Sequence, residues 1–396
     1  MRRHIAFLIG LLLAGCLYTN AESLKSTALR ILTESPEYLT ETYSLESVKA
    51  NLKTESNLPD PELGGEYLVA PVKEDNRWAA ELNWGIEWPG VYSARGKEGD
   101  LKINAARENI EAQRAERLAE ITDLLLDYVR CRKKLALLDE LSQNNDAIYH
   151  LAEQATKGGE LTVLDLNKVK LEYANIRVAK ATLIDEEAEI IAGLSQIYGK
   201  DCTGLLGQME CAFPAVTIPS EAEIAAIKDT APAVKAAMAE AEAARKRKDV
   251  AKMEALPSLS VGYKHAFEEG THFNGATLGI SIPMFSSRGK QKAAKADILE
   301  AEIKAEAAAA GTVSEAMASY RRLKLITEQI AEIAPIVENS DYNATLLKAY
   351  EGGLITLIDY IAERNFFTNA AIELVGLRHN AAKAMAFLER YLSPMP

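Results

Sequence analysis

The chain has 396 residues, of which 48% are hydrophobic and 26% are charged, so its composition excludes an intrinsically disordered protein and is sufficient for a large folded one. The net charge of −12 at pH 7 argues against a nucleic-acid-binding protein, because contacts with phosphate groups require a basic face.

The N-terminus has the features of an export signal. Arg2 and Arg3 precede an apolar run over residues 5–14, which is too short to span a bilayer. The run ends in Leu-Ala-Gly-Cys at 13–16, which resembles the lipobox of bacterial lipoproteins. We therefore predict a signal peptide over residues 1–15, lipidation (palmitate) of Cys16 and a lipidated extension over 16–39, anchored stably by several acyl groups. Ordinary cleavage after the Thr-Asn-Ala sequence at 19–21 is the alternative.

The rest of the chain contains two copies of one unit. Gly-Ile-Glu-Trp-Pro at 85–89 recurs as Gly-Ile-Ser-Ile-Pro at 279–283. The sequence at 158–165, Gly-Gly-Glu-Leu-Thr-Val-Leu-Asp, recurs at 352–359 with the same offset of 194 residues. Two matches at one offset predict an internal two-fold repeat. The predicted domains are repeat 1 over 40–200, a linker over 201–219 and repeat 2 over 220–396.

Each copy has the same predicted order of elements. A helix comes first, over about 40–57 or 220–255, and a β-hairpin follows, over 61–90 or 258–285. Then come a long helix, a Gly-Gly pair that ends it and a helix that runs back. These long helices are predicted over about 92–157, 161–197, 287–349 and 355–391. Their composition, rich in Ala, Glu, Lys and Leu, is typical of coiled coils.

The strands alternate between apolar and polar residues. Leu259, Val261 and Tyr263 alternate with small or polar residues in the third strand, and the other three strands follow the same pattern. An apolar outside and a polar inside indicate a membrane β-barrel, whereas an amphipathic sheet packed on helices is the alternative. Four strands cannot close a barrel, so several chains must contribute. Two chains would give eight strands, and three would give twelve and a wide pore.

Three cysteines lie beyond the export signal. Cys202 and Cys211 are nine residues apart in a stretch rich in Gly and Pro, and export to an oxidising space permits a disulfide between them. Cys131 lies in a helical run and is predicted to be free. The sequence contains no Cys/His cluster with zinc spacing and no motif of a hydrolase or nucleotide-binding enzyme. We therefore predict no catalytic residue, no metal site and no cofactor, and we interpret His265 and His272 as ordinary surface histidines.

These features together resemble the TolC-type outer-membrane efflux proteins over nearly all the mature chain. The resemblance rests on the double repeat, the Pro-Met-Phe that ends the last strand at 283–285, the two Gly-Gly-x-x-Thr-x-x-Asp tips and Leu-Pro-Asp-Pro-Glu-Leu at 58–63. It implies a mixed α and β fold: a homotrimer with a twelve-stranded β-barrel in the outer membrane that continues into an α-helical barrel in the periplasm. The Trp-Pro-Gly-Val-Tyr at 88–92 looks most like the branch that serves heavy-metal efflux pumps.

The resemblance also implies where function is located. The tips of the two helical hairpins would form the periplasmic mouth and dock on a periplasmic adaptor, which connects to an inner-membrane transporter. The tip residues are Gly158, Gly159, Leu161, Thr162, Gly352, Gly353, Ile355 and Thr356. Asp165, Asp359 and Tyr350 would form the periplasmic gate, where a ring of carboxylates draws cations in. Either aspartate could instead cap its helix. Family members have a basic latch residue near the second tip, where this chain has Ile355.

The function predicted is therefore a passive exit duct for small molecules or metal cations, lipid-anchored in the bacterial outer membrane. An exit duct of a type I protein or peptide secretion system has the same architecture and is the first alternative. A periplasmic coiled-coil adaptor without a pore is the second, although such a protein would not need four amphipathic strands.

Overall fold

A computed structural model describes residues 22–69, 71–72, 76–143, 145–285, 288–338 and 341–392. The predicted signal peptide and Cys16 lie outside the described residues. The helices and strands, in chain order, are α1 Leu24–Thr33, α2 Pro36–Thr54, β1 Glu62–Leu68, β2 Arg77–Ile86, α3 Pro89–Gln143, α4 Asn145–Lys157, α5 Val163–Tyr198, α6 Thr203–Leu206, α7 Glu221–Thr230, α8 Pro232–Met253, β3 Ser258–Glu268, β4 Thr271–Ser281, α9 Lys290–Val337, α10 Asp341–Glu351 and α11 Leu357–Leu392.

The two halves follow the predicted order, but each helix predicted to be long is described as two: α3 and α4 for the predicted 92–157, and α9 and α10 for the predicted 287–349. The first helix of the second half is nevertheless two helices, α7 and α8, instead of one over 220–255. Ala231 between them is extended, with ψ of 132°, because the ring of Pro232 disfavours helical backbone in the preceding residue. α2 also begins earlier than predicted, at Pro36, where the hydroxyl of Ser35 accepts from the backbone of Tyr38.

The predicted N-terminal extension contains a helix that belongs to the core. Ser23 caps α1, and Ala28 and Ile31 of α1 are fully buried. They pack against α3 and α5, where Leu125 and Leu194 are equally buried. Full burial of a leucine or isoleucine side chain such as Ile31 stabilises the fold by about 1.5–3 kcal/mol. α1 therefore fastens the start of the described chain to the helical body.

The predicted bridge between Cys202 and Cys211 is not formed, and the two thiols are free. Cys202 is buried in the core that α1, α3 and α5 share, and its Sγ lies 3.2 Å from Ser195 Oγ and 3.6 Å from the Ile191 carbonyl oxygen. Cys211 is exposed to solvent. The spacing of two cysteines along the chain is no guide to pairing when one of them points into a core.

The four strands form one antiparallel sheet in the order β1-β2-β3-β4. The β2–β3 pair joins the hairpin of the first half to that of the second, with Leu82 opposite Tyr263 and Trp84 opposite Val261. β1 and β4 are the two edges of the sheet. Among the described residues, no helix is long and apolar enough to cross a membrane.

Candidate functional site

One face of the sheet is apolar in every strand, as predicted. The register aligns the apolar residues of neighbouring strands in rows across the sheet. One row consists of Leu63, Leu82, Tyr263 and Ala276, and the next consists of Trp84, Val261 and Leu278. Leu63 is 80% exposed and Leu278 is 84% exposed, so none of the described helices covers the face. This argues against the alternative of a sheet packed on helices.

The opposite face is polar and partly lined by glycine. Its rows include Glu81 opposite Lys264 and Asn83 opposite Gly262. Glycine is required at position 262, because an added Cβ would lie 2.7 Å from the backbone oxygen of Leu82 and 2.4 Å from Thr277 Oγ1. The polar face can therefore line an aqueous lumen, and close packing of strands occurs on that side.

The edges of this sheet cannot face lipid as they stand. Among the described residues, β1 and β4 each lack a second strand neighbour, and the backbone groups of an edge strand need partners in a membrane. β2, β3 and β4 have 10 or 11 residues, which is the length of a tilted membrane-spanning strand. The sheet thus has the size and surface of one sector of a larger membrane barrel.

At the other end of the molecule, the two helical hairpins share one apolar cluster, which we call the tip cluster. It combines residues of both halves: Ile148, Ala152 and Val169 from the first, and Leu357, Tyr360 and Ile361 from the second. Leu161 and Ile355 are half-buried against it, whereas the predicted docking residues Gly158, Gly159, Thr162, Gly352, Gly353 and Thr356 are exposed. The structure therefore brings the two predicted tips together.

The Gly-Gly pairs end α4 and α10, the shorter helices that follow α3 and α9. Gly159 and Gly353 have φ of 77° and 67°, the left-handed conformation that glycine adopts without strain. In the first tip the N–H groups of Gly159 and Glu160 donate to the carbonyl oxygens of Thr156 and Ala155. In the second, Gly353 and Leu354 make the same pair of bonds, which defines a Schellman motif at both tips.

Asp165 and Asp359 occupy equivalent capping positions. Thr162 Oγ1 accepts a hydrogen bond from the backbone N–H of Asp165 at 3.1 Å and donates its own proton to Asp165 Oδ2 at 2.7 Å. Thr356 and Asp359 repeat these distances. In addition, Asp359 Oδ2 accepts from the Thr356 backbone N–H at 3.3 Å, which completes a reciprocal cap. Both aspartates therefore cap a return helix, Asp165 at the start of α5 and Asp359 at the start of α11. Helix capping was the alternative to a role in the gate.

The two aspartates differ in their neighbours. Lys168 Nζ lies 3.1 Å from Asp165 Oδ1, and the position that corresponds to Lys168 in the second half is Ala362. Hydrogen bonds from Thr162 and Lys168 lower the pKa of the Asp165 carboxyl. Asp165 is thus a charged group beside a cation, which reduces the negative potential that it contributes at the tip.

The predicted gate residue Tyr350 is half-buried in the tip cluster. Its ring stacks on that of Tyr360, with centroids 5.2 Å apart and an angle of 28° between the planes. The guanidinium of Arg364, one helical turn further along α11, lies 5.8 Å from the Tyr360 ring centroid. Burial lowers the pKa of Arg364. Sequence reasoning missed Tyr360 and Arg364, although their i, i+4 spacing on one helix face signals a contact.

A second polar group, also missed, joins the two halves in the helical body. The Nε2–H of His379 and the Nζ of Lys383, both on α11, donate to the Asp127 carboxylate on α3, each at 2.8 Å. Burial alone would raise the pKa of Asp127, but these two hydrogen bonds lower it to about 2. Across the described part of the chain, no group of three or more His, Cys, Asp or Glu side chains is placed to hold a metal ion.

No family model matches the sequence. It is 24% identical over 274 residues to Protein CyaE of Bordetella pertussis (strain Tohama I), a match that covers 63% of this chain and 56% of that protein. The chain thus spans about half the length of this curated relative.

Solved structures match over nearly the whole chain. The CmeC outer membrane channel of Campylobacter jejuni superposes with a TM-score of 0.77 at 15% identity, covering 95% of this chain and 86% of that one. The outer membrane protein VceC of Vibrio cholerae gives a TM-score of 0.76 at 16% identity, covering 94% and 96%. The predicted TolC-type fold is therefore confirmed.

Proposed function

We propose that this protein is the outer-membrane exit duct of a bacterial efflux pump, and that it works as a homotrimer. The observation that carries the proposal is the four-stranded sheet with one apolar face exposed in every strand and two unpaired edges. Three such sheets, each pairing its β4 with the β1 of the next chain, would close a barrel of twelve strands. A barrel of that size is wide enough for a pore, and closure satisfies the backbone groups of both edges.

The inward face of such a barrel would be the polar face with Glu81, Asn83 and Lys264. The outward face would contact lipid through the rows of Leu63, Leu82 and their neighbours. The long helices would then continue the channel into the periplasm as a helical barrel. The duct itself would be passive, and the energy for transport would come from an inner-membrane transporter.

The tip cluster supports the placement of the periplasmic mouth. Both hairpin tips lie at the end of the molecule that is opposite the sheet. Their exposed glycines and threonines offer a surface to a periplasmic adaptor protein. A gate at this mouth would consist of Asp165, Asp359 and Tyr350 from three chains. Lipidation of Cys16 would add an anchor in the outer membrane beside the barrel.

Recording of the purified protein in planar lipid bilayers tests the proposal. A duct gives discrete ion-conducting steps, and it fractionates with the outer membrane in cells. A protein that produces no conductance and is released from membranes in soluble form would instead be a periplasmic coiled-coil adaptor.

The transported substrate is tested separately. A strain that lacks the gene should become sensitive to metal salts, dyes or bile salts if the cargo consists of small molecules or metal cations. Unchanged sensitivity to all of these, together with loss of a secreted protein or peptide, would assign the duct to type I secretion.

A further inference from the structure

Two histidines that are seven residues apart in the sequence meet at the turn end of the β3–β4 hairpin. His265 lies on β3 and His272 on β4, both on the apolar face of the sheet. Their rings stack with centroids 5.3 Å apart and an angle of 25° between the planes. His272 Nδ1 lies 3.3 Å from His265 Nε2. The antiparallel register therefore converts two scattered histidines into a pair.

A hydrogen-bond network fixes the tautomer of His265. Its Nδ1 lies 2.6 Å from Asn274 Oδ1, which also accepts the hydroxyl proton of Tyr263 at 2.8 Å. Because the amide oxygen only accepts, the ring proton of neutral His265 is on Nδ1 and the lone pair is on Nε2. Histidines that bind metals are held in the same way, with the second ring nitrogen donating to a carbonyl or carboxylate oxygen.

The separation of the two nitrogens suits one metal ion. At the metal–nitrogen distance of about 2.0–2.1 Å found for zinc, two nitrogens 3.3 Å apart subtend an angle of about 105–110° at the ion. That angle is close to tetrahedral. His272 is exposed and lies beside the turn at 269–270, at the end of the hairpin away from the helices, so an ion and its water ligands can reach the pair from beyond the rim of the proposed barrel.

Aromatic rings flank the histidine pair on the apolar face of the sheet. Trp78 packs against the His265 ring, with centroids 5.1 Å apart, and Phe267 packs against His272 at 4.9 Å. These aromatic contacts hold both imidazoles in place before any ion arrives.

We propose that His265 and His272 form a bidentate binding site for a divalent transition-metal ion of the class that prefers imidazole ligands, namely Cu²⁺, Ni²⁺ or Zn²⁺. Asn274 is a positioning residue: by accepting at Nδ1 it orients the ring so that the Nε2 lone pair of neutral His265 lies on the side of His272. The site lies within one chain, so it depends neither on trimer formation nor on the identity of the transported substrate.

Titration of the purified full-length protein with Cu²⁺ tests the site, because bound Cu²⁺ quenches a nearby indole and Trp78 contacts His265. The parent should show saturable quenching with one ion per chain. Its electron paramagnetic resonance spectrum should show coupling to two imidazole nitrogens. The single variants His265→Ala and His272→Ala should each weaken binding by more than about tenfold. His150→Ala is the matched control, because the His150 side chain is 71% exposed on α4 and far along the chain from the sheet.

The role of Asn274 has its own test. Asn274→Ala should weaken Cu²⁺ binding by about tenfold, as loss of an outer-shell partner does, and Asn274→Asp should restore it because a carboxylate accepts the same proton. All variants are checked for the parent's thermal unfolding midpoint. Cu²⁺ binding that survives in His272→Ala, or that is lost equally in His150→Ala, would overturn the proposal. A parent spectrum with fewer than two nitrogens would do the same.

Discussion

The Asp359 carboxylate accepts two hydrogen bonds from Thr356, one from its backbone N–H at 3.3 Å and one from its hydroxyl at 2.7 Å. This reciprocal cap fixes the carboxylate at the start of α11, next to the second hairpin tip. A charge held rigidly there acts on ions that pass the mouth even though the residue also has a structural role. Capping and gating are therefore compatible, and they can be separated by mutation.

Asp359→Asn should reduce cation selectivity and weaken block by divalent ions added from the periplasmic side. Asparagine retains an acceptor for the cap but has no charge. Asp165→Asn should have a smaller effect, because Lys168 already offsets the Asp165 charge. The measurement is the reversal potential of single channels in a salt gradient.

Thr356→Val is the control for this prediction. It removes the hydroxyl of the cap at a cost of about 1 kcal/mol but keeps the Asp359 charge, so selectivity should not change. If both asparagine variants conduct and are blocked like the parent, the aspartates are caps only. The constriction would then be sought at Tyr350 and Ile355.

Gly262→Ala should destabilise the sheet by about 1–3 kcal/mol, because the new methyl group would meet the Leu82 backbone oxygen at 2.7 Å. Gly275→Ala is the matched control on the same face, since nothing lies within 4 Å of an added Cβ there. Thermal unfolding midpoints of the two purified variants provide the comparison. Equal midpoints would show that the strands near Gly262 are further apart than the structure has them.

Stability should fall in acid as Asp127 is protonated. Its pKa is lowered from 3.8 to about 2, so the ionised group stabilises the fold above pH 4 and this contribution is lost as pH falls towards 2. Lys383→Met should cost about 1–3 kcal/mol at pH 6, and its deficit relative to the parent should shrink below pH 4. Lys304→Met removes an exposed partner of Glu300 and should change little. A deficit that stays constant from pH 6 to pH 2 would contradict this assignment.

The three cysteines should differ in reactivity without any reductant. Cys211 is exposed and should be alkylated in the folded protein, whereas Cys131 and Cys202 are buried and should react only after unfolding. Burial raises the pKa of Cys131 to about 12, which further suppresses its thiolate. Mass spectrometry of alkylated peptides measures the reactivity of each thiol. Protection of Cys211 from alkylation until a reductant is added would instead support a disulfide between Cys202 and Cys211.

The sequence was informative where the pattern is local. Alternation placed the strands and their two faces, and the Gly-Gly pairs placed the hairpin tips, because both signals are contained in short segments. It was uninformative where distant segments meet. The packing of α1 on α3 and α5, the burial of Cys202 and the contact of Asp127 with His379 depend on tertiary structure alone. The pairing of His265 with His272 required the strand register, which no residue pattern specified.

Cross-linking of the two sheet edges tests the central claim, a barrel closed by three chains, most directly. In a background without native cysteines, Leu63→Cys on β1 is combined in turn with Ala276→Cys, Leu278→Cys or Ile280→Cys on β4. Directly opposite positions on neighbouring strands lie within disulfide reach. The pair Val261→Cys and Leu278→Cys, which are opposite each other within one chain, is the positive control. We predict that one of the edge combinations gives covalent dimers and trimers, and nothing larger, when the membrane-bound protein is oxidised. Failure of every edge combination, with the Val261 and Leu278 control cross-linked, would contradict the account.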